Sequence, residues 1–242
     1  GREAMVPHNV PMVITGAAIL WFGWFGFNAG SALGANGLAA SAFANTHLAT
    51  AAAVLGWLIP ERAKHGKATT IGAATGAVAG LVAITPAAGF VEPWAALVIG
   101  FVAGAVCWKA VDLKTRIGYD DSLDVVGVHF VGGVVGALLT GVFASAAVNA
   151  FSGSLAQFGK QALAVGVTIA FSFLMTLLIL KVVDVLLGGV RVPEEEEVTG
   201  LDLSQHSEVG YTFQDRGGSL AAGHDEPAGA EPVGAVDREG AR

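Results

Sequence analysis

Six segments of this chain each run for some 20 residues or more with almost no charge. A run of that length and apolarity is what a helix needs to cross the hydrocarbon core of a bilayer. The segments cover residues 10–33, 38–59, 69–90, 93–113, 124–148 and 155–187. The last exceeds a bilayer's thickness and is expected to protrude. Such a pattern predicts an all-α, polytopic membrane helix bundle. Composition agrees, with 53% of residues hydrophobic and 14% charged, where soluble domains carry about 25% charged residues. Trp94 and Trp108 stand near the two ends of the fourth segment, where an interfacial aromatic belt would place them.

Charge orders the segments across the membrane. Arg62, Lys64 and Lys67 fall between the second and third, and Lys109, Lys114 and Arg116 around the link from fourth to fifth. Arg2 precedes the first, and Lys181 and Arg191 close the sixth, whereas the alternate connections carry only Lys160. By the positive-inside rule both ends of the chain are cytoplasmic, in a multi-pass protein of the cell membrane. The net charge of −7 belongs to the far end: from Val192 onward there are 12 acidic and 3 basic residues. Nothing here points to nucleic acid. Three parts are expected: a membrane domain over 1–190, a tail over 191–213, and a disordered extension over 214–242 with too little apolar surface to offset its ordering entropy. The chain opens Gly1-Arg2-Glu3 without an initiating Met and reads as the interior of a longer protein.

Of the 34 glycines, five pairs within the apolar segments are four apart: Gly26 and Gly30, Gly72 and Gly76, Gly76 and Gly80, Gly100 and Gly104, Gly132 and Gly136. Small residues at that spacing let helix backbones approach closely, so these pairs predict packing and carry no information about a substrate.

Enzyme chemistry finds no support. No nucleophile stands beside a base, and there is no phosphate loop or carboxylate pair. Cys107 is the single cysteine, which leaves no disulfide framework, and no two histidines have metal-ligand spacing. No cofactor is expected. Ionisable groups deep in a span are costly and mark function by default. His129 lies five residues beyond Asp124, with apolar helix after it. On α-helical geometry its neighbours Val125, Gly133 and Gly136 leave an open side. Such a histidine can line a pore, bind a polar solute or relay a proton, or else make an interhelical hydrogen bond. His47, between Thr46 and Leu48, reads as an interhelical contact. Phe27 and Ser31 share a face of the first span, and an aromatic ring beside a hydroxyl can receive a small cation, although aromatic-rich stretches also serve packing. Asp120, Asp121 and Asp124 open the fifth span and suit a helix N-terminus. Lys181 and Asp184 are expected to pair locally.

Three stretches carry a family resemblance. They are Gly23-Trp24-Phe25-Gly26-Phe27-Asn28-Ala29-Gly30-Ser31-Ala32, then Asp124-Val125-Val126-Gly127-Val128-His129 with Gly132-Gly133, and Val190-Arg191-Val192-Pro193-Glu194-Glu195 followed by Gly200-Leu201-Asp202, His206, Glu208 and Tyr211. With Ala35-Asn36 and Asn45-Thr46, the chain resembles the Amt/Mep/Rh ammonium transporters over about residues 8–213. The resemblance implies an eleven-helix fold of two inverted five-helix halves. Of this the chain looks like the second half with the last helix, six membrane helices in all. It also implies a homotrimer with a pore in each subunit. His129 then looks like the second of twin pore histidines, Phe27 like one of two stacked gate phenylalanines, and Ser31 like the hydroxyl of an outer ammonium-recruiting site. Arg191, Pro193, Gly200, Asp202, His206 and Tyr211 look like the regulatory tail that couples subunits and helps dock a PII-type signalling protein.

The sequence departs from the family pattern at three places: Val126 stands where Phe is frequent, Phe130 where Gly is frequent, and Ser207 where Gly is common. The first pore histidine, the other gate phenylalanine and the outer-site tryptophan belong to the family's first half. The expected activity is passage of ammonium, with methylammonium as its analogue, through a hydrophobic histidine-lined pore. The alternative is a membrane-embedded ammonium sensor or scaffold that signals through its tail.

Overall fold

A computed structural model of the chain describes residues 6–210. Its helices end where local chemistry says they should. Asn9 accepts the N–H of Met12 at 2.9 Å and opens α1 (Val10–Gly30), with Pro11 in the first turn, where no N–H is missed. Asn36 accepts from Ala39 at 3.0 Å and opens α2 (Gly37–His65), which passes through Pro60 and stops at Gly66 with φ 77°. The Thr69 hydroxyl takes the N–H of Gly72 at 2.8 Å to start α3 (Thr70–Ile84). Pro93 begins α4 (Pro93–Ile117), and Gly118, φ 81°, ends it. A five-residue π-helical turn, Val126–Phe130, leads into α5 (Val131–Phe143). After α6 (Leu155–Leu187) come the short helices α7 (Glu194–Thr199) and α8 (Leu201–His206).

The fold is an all-α membrane helix bundle. Among the described residues, five helical stretches are long and apolar enough to cross a bilayer: Val10–Gly30, Gly37–His65, Pro93–Lys114, Val126–Phe143 and Leu155–Leu187. The third segment departs from the expected single span. Regular helix covers only Thr70–Ile84, and the chain goes on to Phe90 in turns. Those turns are held from outside: Asn45 of α2 donates to the carbonyls of Ala88 and Val91 at 2.9 and 2.7 Å. A buried side-chain amide thus accepts the work that a continued helix would do.

The described residues fall into two compact units that meet at Met175 and Thr176, within α6. α6 runs unbroken across that division, with no buried residue along its length. In the first unit α2 packs on α3 and α4, and α5 completes the group. The core is built of small side chains, with Ala49, Ala53, Ala79, Ala83, Ala96 and Ala103 fully buried around Leu81, Ile84 and Ile99. Glycine makes this closeness possible: a Cβ on Gly100 would overlap the Ala49 carbonyl, and one on Gly136 the Ala83 carbonyl. Of the five glycine pairs, four are packed against neighbours. Gly26 and Gly30 of α1 meet nothing within 4 Å.

At the other end of the bundle from the caps of α3 and α5, the loops are tied together. The carbonyl of Phe90 accepts from Ser145 N–H at 2.8 Å, the Ser145 hydroxyl donates to Glu92 at 2.6 Å, and Asn149 donates to Gly89 at 3.1 Å. Lys64, Lys109 and Asp112 form an ion cluster, with Lys64 lying 5.8 Å from the Trp108 ring. The expected Lys181–Asp184 pair does not form among the described residues. Its two members sit on the exposed α6, where the lysine stem is free to reach toward water.

Candidate functional site

His129 sits in the π turn and is exposed, facing a cleft of about 260 Å³. The other walls are Val13, Ala17 and Leu20 from α1, Ala74, Thr75 and Val78 from α3, and Leu123 and Val128. One imidazole therefore stands in an otherwise nearly apolar cleft between α1, α3 and the start of α5. The turn's other side is buried: Val128 is 3% exposed and Gly127 lies against Val111 of α4. The neighbours expected from α-helical spacing change accordingly. Gly133 is open as expected, but Gly136 is closed by the Ala83 backbone. π-turns insert a residue into a helix and recur at functional sites, so His129 leaves the face it would share with Gly136.

The acidic run ahead of the turn divides its labour. Both oxygens of Asp121 accept backbone N–H groups, from Val125 at 2.8 Å and Val126 at 2.9 Å. Asp124, expected at the helix N-terminus, is there but turns its carboxylate to Lys114 instead, while its own φ is 56°. The capping role passes to Asp121 because Asp124, in the left-handed region, carries the bend and offers only its carbonyl to the helix, accepting from Val128 at 2.9 Å. Burial first, and then the neighbouring Asp121 carboxylate, push the Tyr119 phenol above its usual range.

Along α1 the candidate residues follow in order. Phe27, 62% exposed, borders a second hollow with Gly16, Ile19, Leu20, Gly23 and Trp24. Leu20 is common to this hollow and to the His129 cleft, so the structure brings Phe27 and His129 to adjoining spaces and not into one pocket. Trp24 holds Phe27 edge-on, with ring centroids 5.9 Å apart, and is fixed by its own N–H to the Thr85 hydroxyl at 2.8 Å. One turn beyond, the Ser31 hydroxyl donates to the Phe27 carbonyl at 2.6 Å. His47 meets α1 through its ring, 5.3 Å from Trp21 and 6.1 Å from Phe25. That makes the expected interhelical contact a ring contact. Among the described residues no three His, Cys, Asp or Glu side chains gather as a metal site.

In the second unit Arg191 grips Glu197 with two nitrogens, at 2.9–3.2 Å. Pro193 precedes α7, Gly200 (φ 100°) makes the corner to α8, and Gln205 reaches back to Glu196. Asp202 accepts at its carbonyl from Glu208, and His206 ends α8. Tyr211 and the 214–242 extension lie outside the described residues.

The family model for the Ammonium Transporter Family matches residues 1–211. The chain belongs to the Ammonium Transporter Family. It is 49% identical over 226 residues to an ammonium transporter of Mycobacterium tuberculosis, a match covering 88% of this chain and 47% of that protein. An ammonium transporter of Bacillus subtilis is 47% identical, with 86% of this chain and 53% of that one covered. The crystal structure of Saccharomyces cerevisiae Mep2 superposes with TM-score 0.70 at 41% identity, covering 74% of this chain and 45% of that one. The chain thus spans about half the length of the curated family members it matches.

Within this family frame, sequence reasoning missed the π turn, the singling out of Asp121 among the three acids as the cap, and the bond from Asn28 to Thr46 (3.0 Å) that fastens α1 to α2. The last had a signal: Asn28 is the one polar residue of its stretch of α1 and the only buried one in that helix. A π turn has none, because an inserted residue leaves the sequence of a mainly apolar segment looking the same.

Proposed function

We propose that this chain supplies one half of an ammonium-conducting pathway through the cell membrane, with the His129 cleft as part of the path. The observation that carries the reading is an exposed imidazole in an almost apolar cleft, two turns along α1 from an exposed phenylalanine. Ammonium is recruited near Ser31, whose proton is already given to the Phe27 carbonyl, leaving the hydroxyl oxygen to accept from a cation's N–H. The ion loses its water and its proton, the nitrogen passes Phe27, and neutral ammonia moves on along His129 while the proton travels separately. Hydrated metal cations are turned away, because an apolar lining does not repay their dehydration. The wider setting belongs to the same reading: a homotrimer in the plasma membrane, both ends of this chain cytoplasmic, and a tail of Arg191, Pro193, Gly200, Asp202, His206 and Tyr211 that meets a PII-type protein.

Methylammonium uptake in cells lacking ammonium transport tests it, comparing the chain alone, the chain joined to a family-typical first half, and the joined protein with His129→Ala. Uptake by the joined protein that falls at least about tenfold with the substitution, about 1.4 kcal/mol at the barrier, is the expected result. A joined protein folded in the membrane that takes up nothing overturns the pathway and returns the sensor reading. Uptake by the chain alone overturns the half-pathway.

A further inference from the structure

The π turn that carries His129 does not hold itself in place; it is seated on one face of α4. Cys107, Val111 and Lys114 are spaced four and three apart, so they form a single stripe along that helix. The Cys107 thiol donates to the Val128 carbonyl at 3.8 Å, and Val111 lies directly against Gly127, where a Cβ would meet it at 2.6 Å. Lys114 is buried, 8% exposed, and its ammonium donates to the Asp121 carbonyl at 2.7 Å and to the Asp124 carboxylate. Asp121 in turn holds the N–H groups of Val125 and Val126, the latter being the first residue of the turn. Asp124 makes the left-handed bend between them. A buried ammonium is costly unless oxygen atoms surround it, and here both of its partners belong to the bend that launches the turn.

We propose that Lys114 is a positioning residue for His129: its ammonium clamps the 121–124 bend, and the clamped bend aims the π turn so that Val128 faces α4 and the imidazole faces the cleft. Removing the charge frees the bend, and the turn loses its register while the helices on either side remain. The consequence for conduction rests on the proposed pathway; the positioning itself does not.

Diethyl pyrocarbonate labelling of the full chain in lipid nanodiscs, read by mass spectrometry, measures how each imidazole is presented. His47, whose ring is held by Trp21 and Phe25, serves as the internal reference. Lys114→Met is expected to change the labelling rate of His129 by about threefold or more, the scale of coupling between neighbouring groups, with His47 unchanged and Lys114→Arg close to the parent. Asp121→Asn, which weakens the next link, is expected to change His129 in the same selective way and serves where Lys114→Met does not fold. An unchanged His129 rate, or equal changes at His129 and His47, overturns the proposal. In the joined protein, Lys114→Met is expected to reduce uptake severalfold when His129 is present and by less than about twofold when His129→Ala is already in place. Equal losses in both backgrounds overturn the link to His129. If His129→Ala has no effect on uptake while the selective labelling change persists, the pathway fails and the positioning stands.

Discussion

The glycines of α1 and those of α2 to α5 share a spacing but not a situation. Gly72, Gly76, Gly80, Gly100, Gly104 and Gly136 each lie where a Cβ would collide with a neighbouring helix, while Gly16, Gly23, Gly26 and Gly30 meet nothing within 4 Å. Asn28 is the only buried residue of α1, whereas α3 buries ten of its fifteen. A small-residue repeat marks a helix face fit for close approach; it does not say which faces are already occupied. In this chain the unoccupied face is also the one that carries Phe27 and borders both hollows. The tightly packed faces of α2 to α5 and the open face of α1 therefore use the same residue type.

The largest test of this contrast is a pair of substitutions. Gly100→Val pushes a branched side chain into the Ala49 backbone, which cannot swing aside as a side chain can, and is expected to cost more than about 4 kcal/mol, beyond the usual range for overpacking. Gly26→Val is expected to stay within about 0.5 kcal/mol, as a substitution without neighbours should. Unfolding of the chain in mixed micelles, followed by circular dichroism, measures both. Equal costs would show that α1 is packed in solution in a way the structure does not display.

The helices were legible because their determinants are local. Length and apolarity mark the spans, and Asn9, Asn36 and Thr69 cap helices from within three residues of the groups they satisfy. What stayed hidden depends on groups distant in sequence. The early end of α3 follows from Asn45, more than 40 residues earlier, reaching the Ala88 and Val91 carbonyls. The environment of His129 follows from a π turn seated on α4, and α-helical spacing then placed Gly136 on an open side that Ala83 in fact closes. Phe27 and Ser31 stand one turn apart at the end of α1, Ser31 as the residue that follows it, and both are exposed. The choice of Asp121 over Asp124 as the cap was out of reach, because it turns on a left-handed residue at position 124.

A middle-sized effect separates two buried asparagines. Asn45 serves two carbonyls inside the core, whereas Asn28 makes one bond, to Thr46, at the seam between α1 and α2. Asn45→Ala leaves both carbonyls without that donor and is expected to cost about 2–4 kcal/mol, at about 1–2 for each. Asn28→Ala is expected to cost about 0.6 kcal/mol, the average for an interhelical bond in a membrane. Both are read from the same unfolding titration. Hydrogen exchange at residues 85–91 distinguishes the two further: faster exchange is expected for Asn45→Ala alone. Similar exchange in both variants would mean that the turns after α3 hold themselves.

The smallest effect carries the comparison into the second unit, where conformation and not space decides whether glycine is wanted. Ser207 closes α8 with φ 55° and ψ 33°, its N–H bonded to the Asp202 carbonyl. An L-residue in that region pays about 1–2 kcal/mol that glycine does not, while glycine loses more freedom on ordering. Ser207→Gly is therefore expected to stabilise the end of α8 by about 0.5–1 kcal/mol. Amide exchange at Gln205, His206 and Glu208 should slow by a few-fold, with the membrane helices unaffected. Faster exchange would mean that the serine hydroxyl offsets the backbone cost. The family's frequent glycine at this position would then need a reason other than the shape of the turn.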